Sequence, residues 1–177
     1  MNSIINQSYR LIMFCKVILK FTKGSLKNQE YAYYQQTCVT VGRQDDCTIV
    51  IPETDTSVSR NHCQLTIDPP EVTVRDLEST NGTFLNGILI GRRQKTDGTE
   101  EIDIQSPTDF AMKPGDRLGL GKNCEIELIF VVQCAECFSD ICQPEHYNEK
   151  KEPICDDCYE DFFYASYLPN EISKLKT

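Results

Sequence analysis

The chain has 177 residues, 40% of them hydrophobic and 25% charged. That describes a water-soluble globular chain long enough for one domain with a smaller segment appended. With 18 basic against 27 acidic residues the formal charge is −9, which excludes broad, sequence-independent binding to nucleic acid or anionic membranes but leaves room for a small basic pocket. No apolar run approaches the roughly 18–20 residues that a membrane-spanning helix needs. The start, MNSIINQSYRLIMFCKVILKF, is interrupted by Arg10, Lys16 and Lys20 and has no small-residue cleavage site, so the expected location is cytoplasmic. There thiols stay reduced, and clustered cysteines point to metal ligands rather than disulfides.

Residues 1–12 show no period and read as an N-terminal extension. Alternation starts near Met13, with Cys15, Val17, Leu19 and Phe21 set against Lys16 and Lys20, so Met13 is an alternative start. Short β-type runs follow: 14–22, 31–41, 47–52, 62–68, 71–76, 83–85, 88–90, 116–120 and 124–132. Many short strands with turn signals and few helical periods predict an all-β sandwich. Asn81-Gly82 and Asn86-Gly87 are hairpin dipeptides, since a type I′ turn needs φ > 0 at both central residues. RRQKTDGTEEIDIQSPTDFAM, 92–112, is polar, acidic and without period, and reads as an insertion loop. Composition shifts to Cys, Asp, Glu and Tyr after Val132. The expected organisation is therefore an extension at 1–12, a sandwich domain at 13–132, a cysteine-rich segment at 133–160 and a tail at 161–177.

Four loop segments carry chemistry: Gly42-Arg43, Ser59-Arg60-Asn61-His62, Ser79-Thr80-Asn81-Gly82-Thr83 and Asn86-Gly87. They offer two guanidinium groups, several hydroxyls and short amides at the ends of rigid strands. A phosphorylated side chain, with about −1.5 to −2 charges and three acceptor oxygens, is an anion such a set can hold. The arginine fork satisfies two oxygens and a hydroxyl or backbone N–H the third. Singly, each element has a plainer explanation: turn chemistry for Asn-Gly, a solvated charge for Arg43, a hydrogen-bonded structural imidazole for His62.

Gly42-Arg43, then Ser59-Arg60-Asn61-His62, then Asp76-Leu77-Glu78-Ser79-Thr80-Asn81-Gly82-Thr83-Phe84-Leu85-Asn86-Gly87, resembles the forkhead-associated (FHA) domain over about 14–132. The resemblance implies an eleven-stranded β-sandwich whose loops bind phosphothreonine peptides. It gives Arg43 and Ser59 the phosphate, Arg60 a phosphate or peptide contact, Thr80 a place near the phosphothreonine and Asn81 the peptide backbone. Gly42, His62, Gly82 and Asn86 take structural places at the site. Ser57, Glu78 and Ser79 are candidates for selecting residues that flank the phosphothreonine.

Of the ten cysteines, Cys15, Cys38, Cys47, Cys63 and Cys124 are scattered through the strands and are expected as small buried apolar residues. Cys134-x2-Cys137 and Cys155-x2-Cys158 are instead paired across 17 residues, a spacing that fits one structural Zn2+ with four thiolates. Cys142 and His146 are alternates for one of the four. Phe138 stands where knuckle turns of this kind often carry glycine. A nucleic-acid ribbon is disfavoured, because 133–177 holds 4 lysines against 10 acidic residues.

No catalytic constellation is present: no glycine-rich loop with a strand lysine, no His-Arg-Asp, no Asp-Phe-Gly, and Gly121-Lys122-Asn123 is not a P-loop. The expected function is that of a non-enzymatic adaptor reading phosphothreonine on a partner, namely a serine/threonine kinase or its substrate, with neither nucleic acid nor membrane as ligand. The pairing with a zinc segment is similar to FHA modules that accompany bacterial, cyanobacterial-type serine/threonine kinases. The alternatives are a regulatory or split N-terminal subunit of such a kinase and a zinc-thiol redox sensor.

Overall fold

A computed structural model describes residues 15–93, 108–141 and 145–167, the last six of these as backbone only. The expected extension at 1–12, the middle of the expected insertion, Cys142 and residues 168–177 lie outside the described residues. The chain divides into two compact units, Lys16–Phe130 and the residues from Val131 onward.

The first unit is built from eleven strands: β1 (Cys15–Lys23), β2 (Glu30–Tyr33), β3 (Thr37–Gly42), β4 (Ile49–Val50), β5 (Cys63–Asp68), β6 (Glu71–Asp76), β7 (Thr83–Leu85), β8 (Ile88–Gly91), β9 (Phe110–Met112), β10 (Arg117–Leu120) and β11 (Cys124–Gln133). One sheet runs β2-β1-β11-β10-β7-β8 and the other β4-β3-β5-β6-β9. β3 and β4 run parallel, while β1–β2, β3–β5, β5–β6, β6–β9, β7–β8, β7–β10 and β10–β11 are antiparallel.

Each sheet has one face against its partner and one toward water, so its strands alternate with period two. Val17, Leu19 and Phe21 of β1 are fully buried, as are Val39 and Val41 of β3 and Leu65 and Ile67 of β5. Val74 of β6, Leu118 and Leu120 of β10, and Ile126 and Leu128 of β11 complete the pattern. These side chains form one contiguous core, each worth about 1.5–3 kcal/mol in transfer terms. Tyr31 closes the edge with its ring at 5.9 Å and 70° from Phe21, an edge-to-face pair.

Three expectations need correction. The single run 31–41 is two strands in different sheets, β2 pairing with β1 and β3 with β5. The expected insertion 92–112 ends in a strand, since Phe110–Met112 pairs with β6 through Val72↔Met112 and Val74↔Phe110. Asn86-Gly87 is a two-residue hairpin with φ of 51° and 82°, but Asn81-Gly82 is no hairpin: only Gly82 has positive φ, and the segment crosses from β6 in one sheet to β7 in the other.

Among the scattered cysteines, Cys47, Cys63 and Cys124 are buried, whereas Cys38 is exposed and Cys15 only half-buried. Burial pushes the thiol of Cys63 far up and that of Cys124 up to about 12. At Cys38 the odd-even phase of β3 decides the outcome: Val39 and Val41 face the core, so residue 38 faces out.

In the second unit β12 (Asp140–Ile141) pairs with Val132 and Gln133, the part of β11 that lies beyond Phe130 and belongs to this unit. β13 (His146–Tyr147) pairs with β14 (Pro153–Ile154), and α1 (Asp156–Tyr167) follows. The helix crosses the expected boundary at 160/161 between cysteine segment and tail. Its first turn carries Asp156 and Asp157, which favour a helix N-terminus.

Candidate functional site

The loops that follow β3, β4, β6 and β10 are tied to one another by named bonds. Gly42 ends β3 where the chain passes close to the next loop. A Cβ there would stand 1.9 Å from the Arg60 carbonyl oxygen, so only glycine permits the approach. That proximity lets the Arg43 amide donate to the Ser59 carbonyl at 3.1 Å and the Gln44 amide donate to the Arg60 carbonyl at 3.0 Å. The Arg43 side chain is half-buried, and its Nε donates to the Val58 carbonyl at 2.6 Å. This clamp fixes the stem and leaves the two terminal nitrogens of the fork for a ligand.

Ser59 is held at both ends. Its amide donates to His62 Nδ1 at 2.9 Å, and its Oγ accepts the Thr80 amide at 2.8 Å. With the oxygen already accepting, the hydroxyl proton is what Ser59 has to offer. Arg60 is exposed, with no side-chain partner among the described residues. Thr80 is exposed beside Ser59, and Asn81 Nδ2 donates to the Ser57 carbonyl at 2.9 Å. Arg43, Ser59, Arg60, Thr80 and Asn81 therefore share one end of the sandwich.

His62 is fully buried behind them. Nδ1 accepts from Ser59, so Nε2 carries the proton and donates to the Gly82 carbonyl at 3.2 Å. Burial lowers its pKa, outweighing the opposing pull of the Gly82 carbonyl and Asp76, and the ring is a neutral brace. Gly82 adopts φ +90°, and its carbonyl also accepts the Gly121 amide at 2.9 Å.

Three residues to which the sequence assigned no role at the site complete the frame. Asp76 accepts the Ser79 amide at 3.0 Å through Oδ2 and the Thr83 hydroxyl through Oδ1. Gly121 sits where a Cβ would meet the Ser57 carbonyl oxygen at 2.2 Å. Asp55, also buried, accepts the Ser57 hydroxyl at 2.9 Å. An acidic residue closing a strand just before a Ser/Thr-Asn-Gly turn is the one local signal that could have marked Asp76.

The candidates for flanking selection separate. Glu78 is exposed at φ 55°, and Ser57 is half-buried with its hydroxyl committed to Asp55. Ser79 is fully buried with no hydrogen-bond partner for Oγ, so its side chain is not at the surface. Asn86 lies at the β7–β8 hairpin, away from the Ser59–Thr80 junction. Its Nδ2 donates to Asp116 Oδ1 at 2.8 Å, and its Oδ1 accepts the Arg117 amide at 2.9 Å.

The second cluster lies in the second unit. The Sγ atoms of Cys134, Cys137, Cys155 and Cys158 all lie within 4.8 Å of one another. Zn–S bonds of about 2.3 Å in a tetrahedron put sulfurs about 3.8 Å apart, and Cys137 and Cys155 stand at 3.6 Å. Cys134 Sγ accepts the Glu136 and Cys155 amides, both at 3.4 Å, as a knuckle thiolate does. Phe138 takes φ 61°, the left-handed geometry for which glycine is usual. Cys155 precedes α1 and Cys158 falls in its first turn. The Ser139 hydroxyl pulls Cys137 down to about 6, while the neighbouring Cys137 pushes Cys158 up. Four sulfurs this close repel as thiolates, and a divalent cation relieves that, so the donor set fits a metal. His146 is not in the foursome. It stacks on Tyr159 with centroids 3.9 Å apart and lies 3.4 Å from Asp156.

Comparisons with known proteins bear on the first unit. Residues 39–121 match the family model of the FHA domain. The chain is 37% identical over 103 residues to the probable serine/threonine-protein kinase fhkA of Dictyostelium discoideum, covering 52% of this chain and 14% of that protein. It is 40% identical over 68 residues to the FHA domain-containing protein FhaB of Mycobacterium tuberculosis, covering 38% of this chain and 42% of that one. The solution structure of the FHA domain of an Arabidopsis thaliana hypothetical protein matches with a TM-score of 0.53 and 25% identity, over 68% of this chain and 88% of that one. The sandwich is thus similar to FHA domains, and the match at 39–121 includes the loops after β3, β4 and β6. It spans less than half the length of the two curated relatives. No helix among the described residues is long and apolar enough to cross a membrane.

Proposed function

We propose that this chain is a phosphothreonine-dependent adaptor, without catalysis of its own, whose partner is a serine/threonine kinase or a kinase substrate. Arg43 grips the phosphate with the free nitrogens of its clamped fork. Ser59 donates its hydroxyl proton to a phosphate oxygen, and Arg60 adds charge from the same loop. Thr80 flanks the phosphothreonine, and Asn81 meets the peptide backbone. The observation that carries this reading is the junction at Ser59, whose oxygen is occupied by the Thr80 amide while its proton is left over, beside an arginine clamped through Nε. Three or four charge-assisted bonds of about 1.5–3 kcal/mol each support micromolar binding after ordering costs.

The four cysteines serve as a structural Zn2+ site, because four protein ligands leave no open coordination position. The bound ion would fold a segment whose own buried core is Cys134, Ile141 and Ile154. The relation to fhkA keeps a second reading in view, a regulatory or split subunit of a kinase; co-purification with a kinase chain in fixed stoichiometry would favour it.

Titration with a phosphothreonine peptide library tests the first reading. Wild type should bind, Arg43→Ala and Ser59→Ala should each lose about tenfold or more (about 1.4 kcal/mol), and dephosphorylated peptide should not bind. Equal binding with and without the phosphate would refute it.

A further inference from the structure

The outer face of the β10 sheet holds a groove of about 410 Å³ within the first unit. Phe84 and Gly119 are among the residues lining it, and Lys23, Arg117 and Lys122 supply its charge. Gly119 has no side chain to fill the space above β10, and a Cβ there would already touch Phe84 Cβ at 3.4 Å. Among the lining residues three cations face one carboxylate, Glu125, which pairs with two of them, and Glu127 stands across from Arg117 on β11. Glu125 lies 2.9 Å from Lys23 and 3.8 Å from Arg117, and also accepts the Thr22 hydroxyl at 2.8 Å. Lys122 has no ionic partner among the described residues, so the lining carries a surplus of two positive charges, about one when Glu127 is counted, in a chain whose net charge is −9.

The groove is continuous with the loop end of the sandwich. Gly121 lines it, and the same residue packs against the Ser57 carbonyl and Asn81 Cβ. From Gly121 down β10 to Arg117 is four residues, about 14 Å at 3.4 Å each. An extended peptide of about four residues covers that span.

We propose that this groove is a second recognition surface for the phosphorylated partner, binding an acidic extended stretch of about four residues that flanks the phosphothreonine. The proposal rests on the phosphothreonine reading of the loops. Carboxylates of the flank pair with Lys122 and Arg117, while its backbone lies over Phe84 and Gly119 where side chains leave room. Because these cations stand in water, their contribution is modest and salt-sensitive.

Fluorescence anisotropy with three phosphothreonine peptide pools tests this: uncharged flanks, four glutamates before the phosphothreonine, and four after it. One acidic pool should bind wild type at least about fivefold more tightly than the uncharged pool at low salt, the advantage shrinking at high salt. The double variant Lys122→Glu, Arg117→Glu should lose that advantage yet hold the uncharged pool within about twofold, which also shows that it is folded. Lys122→Arg with Arg117→Lys should keep the advantage. No gain from either acidic flank, or a gain that survives charge reversal, overturns the groove while leaving the phosphothreonine site standing. Failure of wild type to bind the uncharged pool overturns the phosphothreonine reading and this proposal together.

Discussion

Replacing Gly42 with alanine adds one methyl group at the tightest approach in the loop end. Its carbon would stand 1.9 Å from the Arg60 carbonyl oxygen, 2.8 Å from the Arg60 carbonyl carbon and 3.0 Å from Cys47 Sγ. A carbon needs about 3.3 Å from such an oxygen, so the two backbones must part by roughly 1.4 Å. That stretches the Arg43–Ser59 and Gln44–Arg60 bonds, now 3.1 and 3.0 Å, past the limit for N–H···O. Two bonds at about 1 kcal/mol each, added to an overpacking cost of about 1–3 kcal/mol, come to about 3–5 kcal/mol. For a domain of this size the melting temperature should fall by roughly 10–15 °C. Urea unfolding of Gly42→Ala beside Gly87→Ala measures the free-energy loss, and a thermal scan the shift in melting temperature. Gly87 has φ +82° but nothing within 4 Å of an added Cβ, so that control pays only backbone strain of about 1–2 kcal/mol. A Gly42→Ala variant within about 1 kcal/mol of wild type, or no worse than Gly87→Ala, would refute the argument.

His62 makes the loop end acid-sensitive. Its folded pKa lies below the unfolded value of about 6.5 because it is buried neutral. Its contribution is therefore fully present above pH 6.5 and lost below it, where the unfolded chain takes up a proton the folded one refuses, with a slope of up to about 1.4 kcal/mol per pH unit. The urea midpoint of wild type should fall more steeply between pH 8 and pH 5.5 than that of His62→Gln; parallel curves would contradict this. Alkylation of the native protein should label exposed Cys38 and spare Cys63 and Cys124, and rapid labelling of Cys63 would contradict the burial described. Elemental analysis should give about one zinc per chain, with four further thiols becoming reactive on chelation; a ratio near two, or none, would overturn the four-cysteine assignment.

The sandwich was legible where one face of a strand meets the core and the other meets water. Val17, Leu19 and Phe21 announce β1 because period two has no other physical source there. Period says nothing of which sheet a strand joins, so the switch between β2 and β3 at Tyr34–Gln36 was hidden in one continuous run. Phe110–Met112 was hidden for another reason: three residues with only Met112 buried are too few to show alternation beside an acidic stretch. α1 was hidden because its acidic face, Asp156, Asp157, Glu160 and Asp161 at i, i+1, i+4 and i+5, is short and begins among the paired cysteines. At the loop end, Arg43, Ser59 and Asn81 stand out by residue type. The Val58 and Ser57 carbonyls that hold Arg43 and Asn81 do not, because a backbone oxygen leaves no signature in a sequence. The two Asn-Gly pairs look alike on paper, yet only the second closes a hairpin, since the first is drawn across two sheets.

The Gly82 carbonyl accepts from His62 and from Gly121 at once, and so one oxygen joins the loops after β4, β6 and β10. None of the three can rearrange without breaking a bond at this shared oxygen. The conformational entropy of ordering them is then lost when the chain folds rather than when a ligand arrives. Association at these loops should accordingly proceed as collision with a finished surface, its rate set by diffusion and charge steering rather than by a slow closing step. By the same token the Ser59, Thr80 and Gly121 amides should exchange their hydrogens in one shared opening rather than three separate ones.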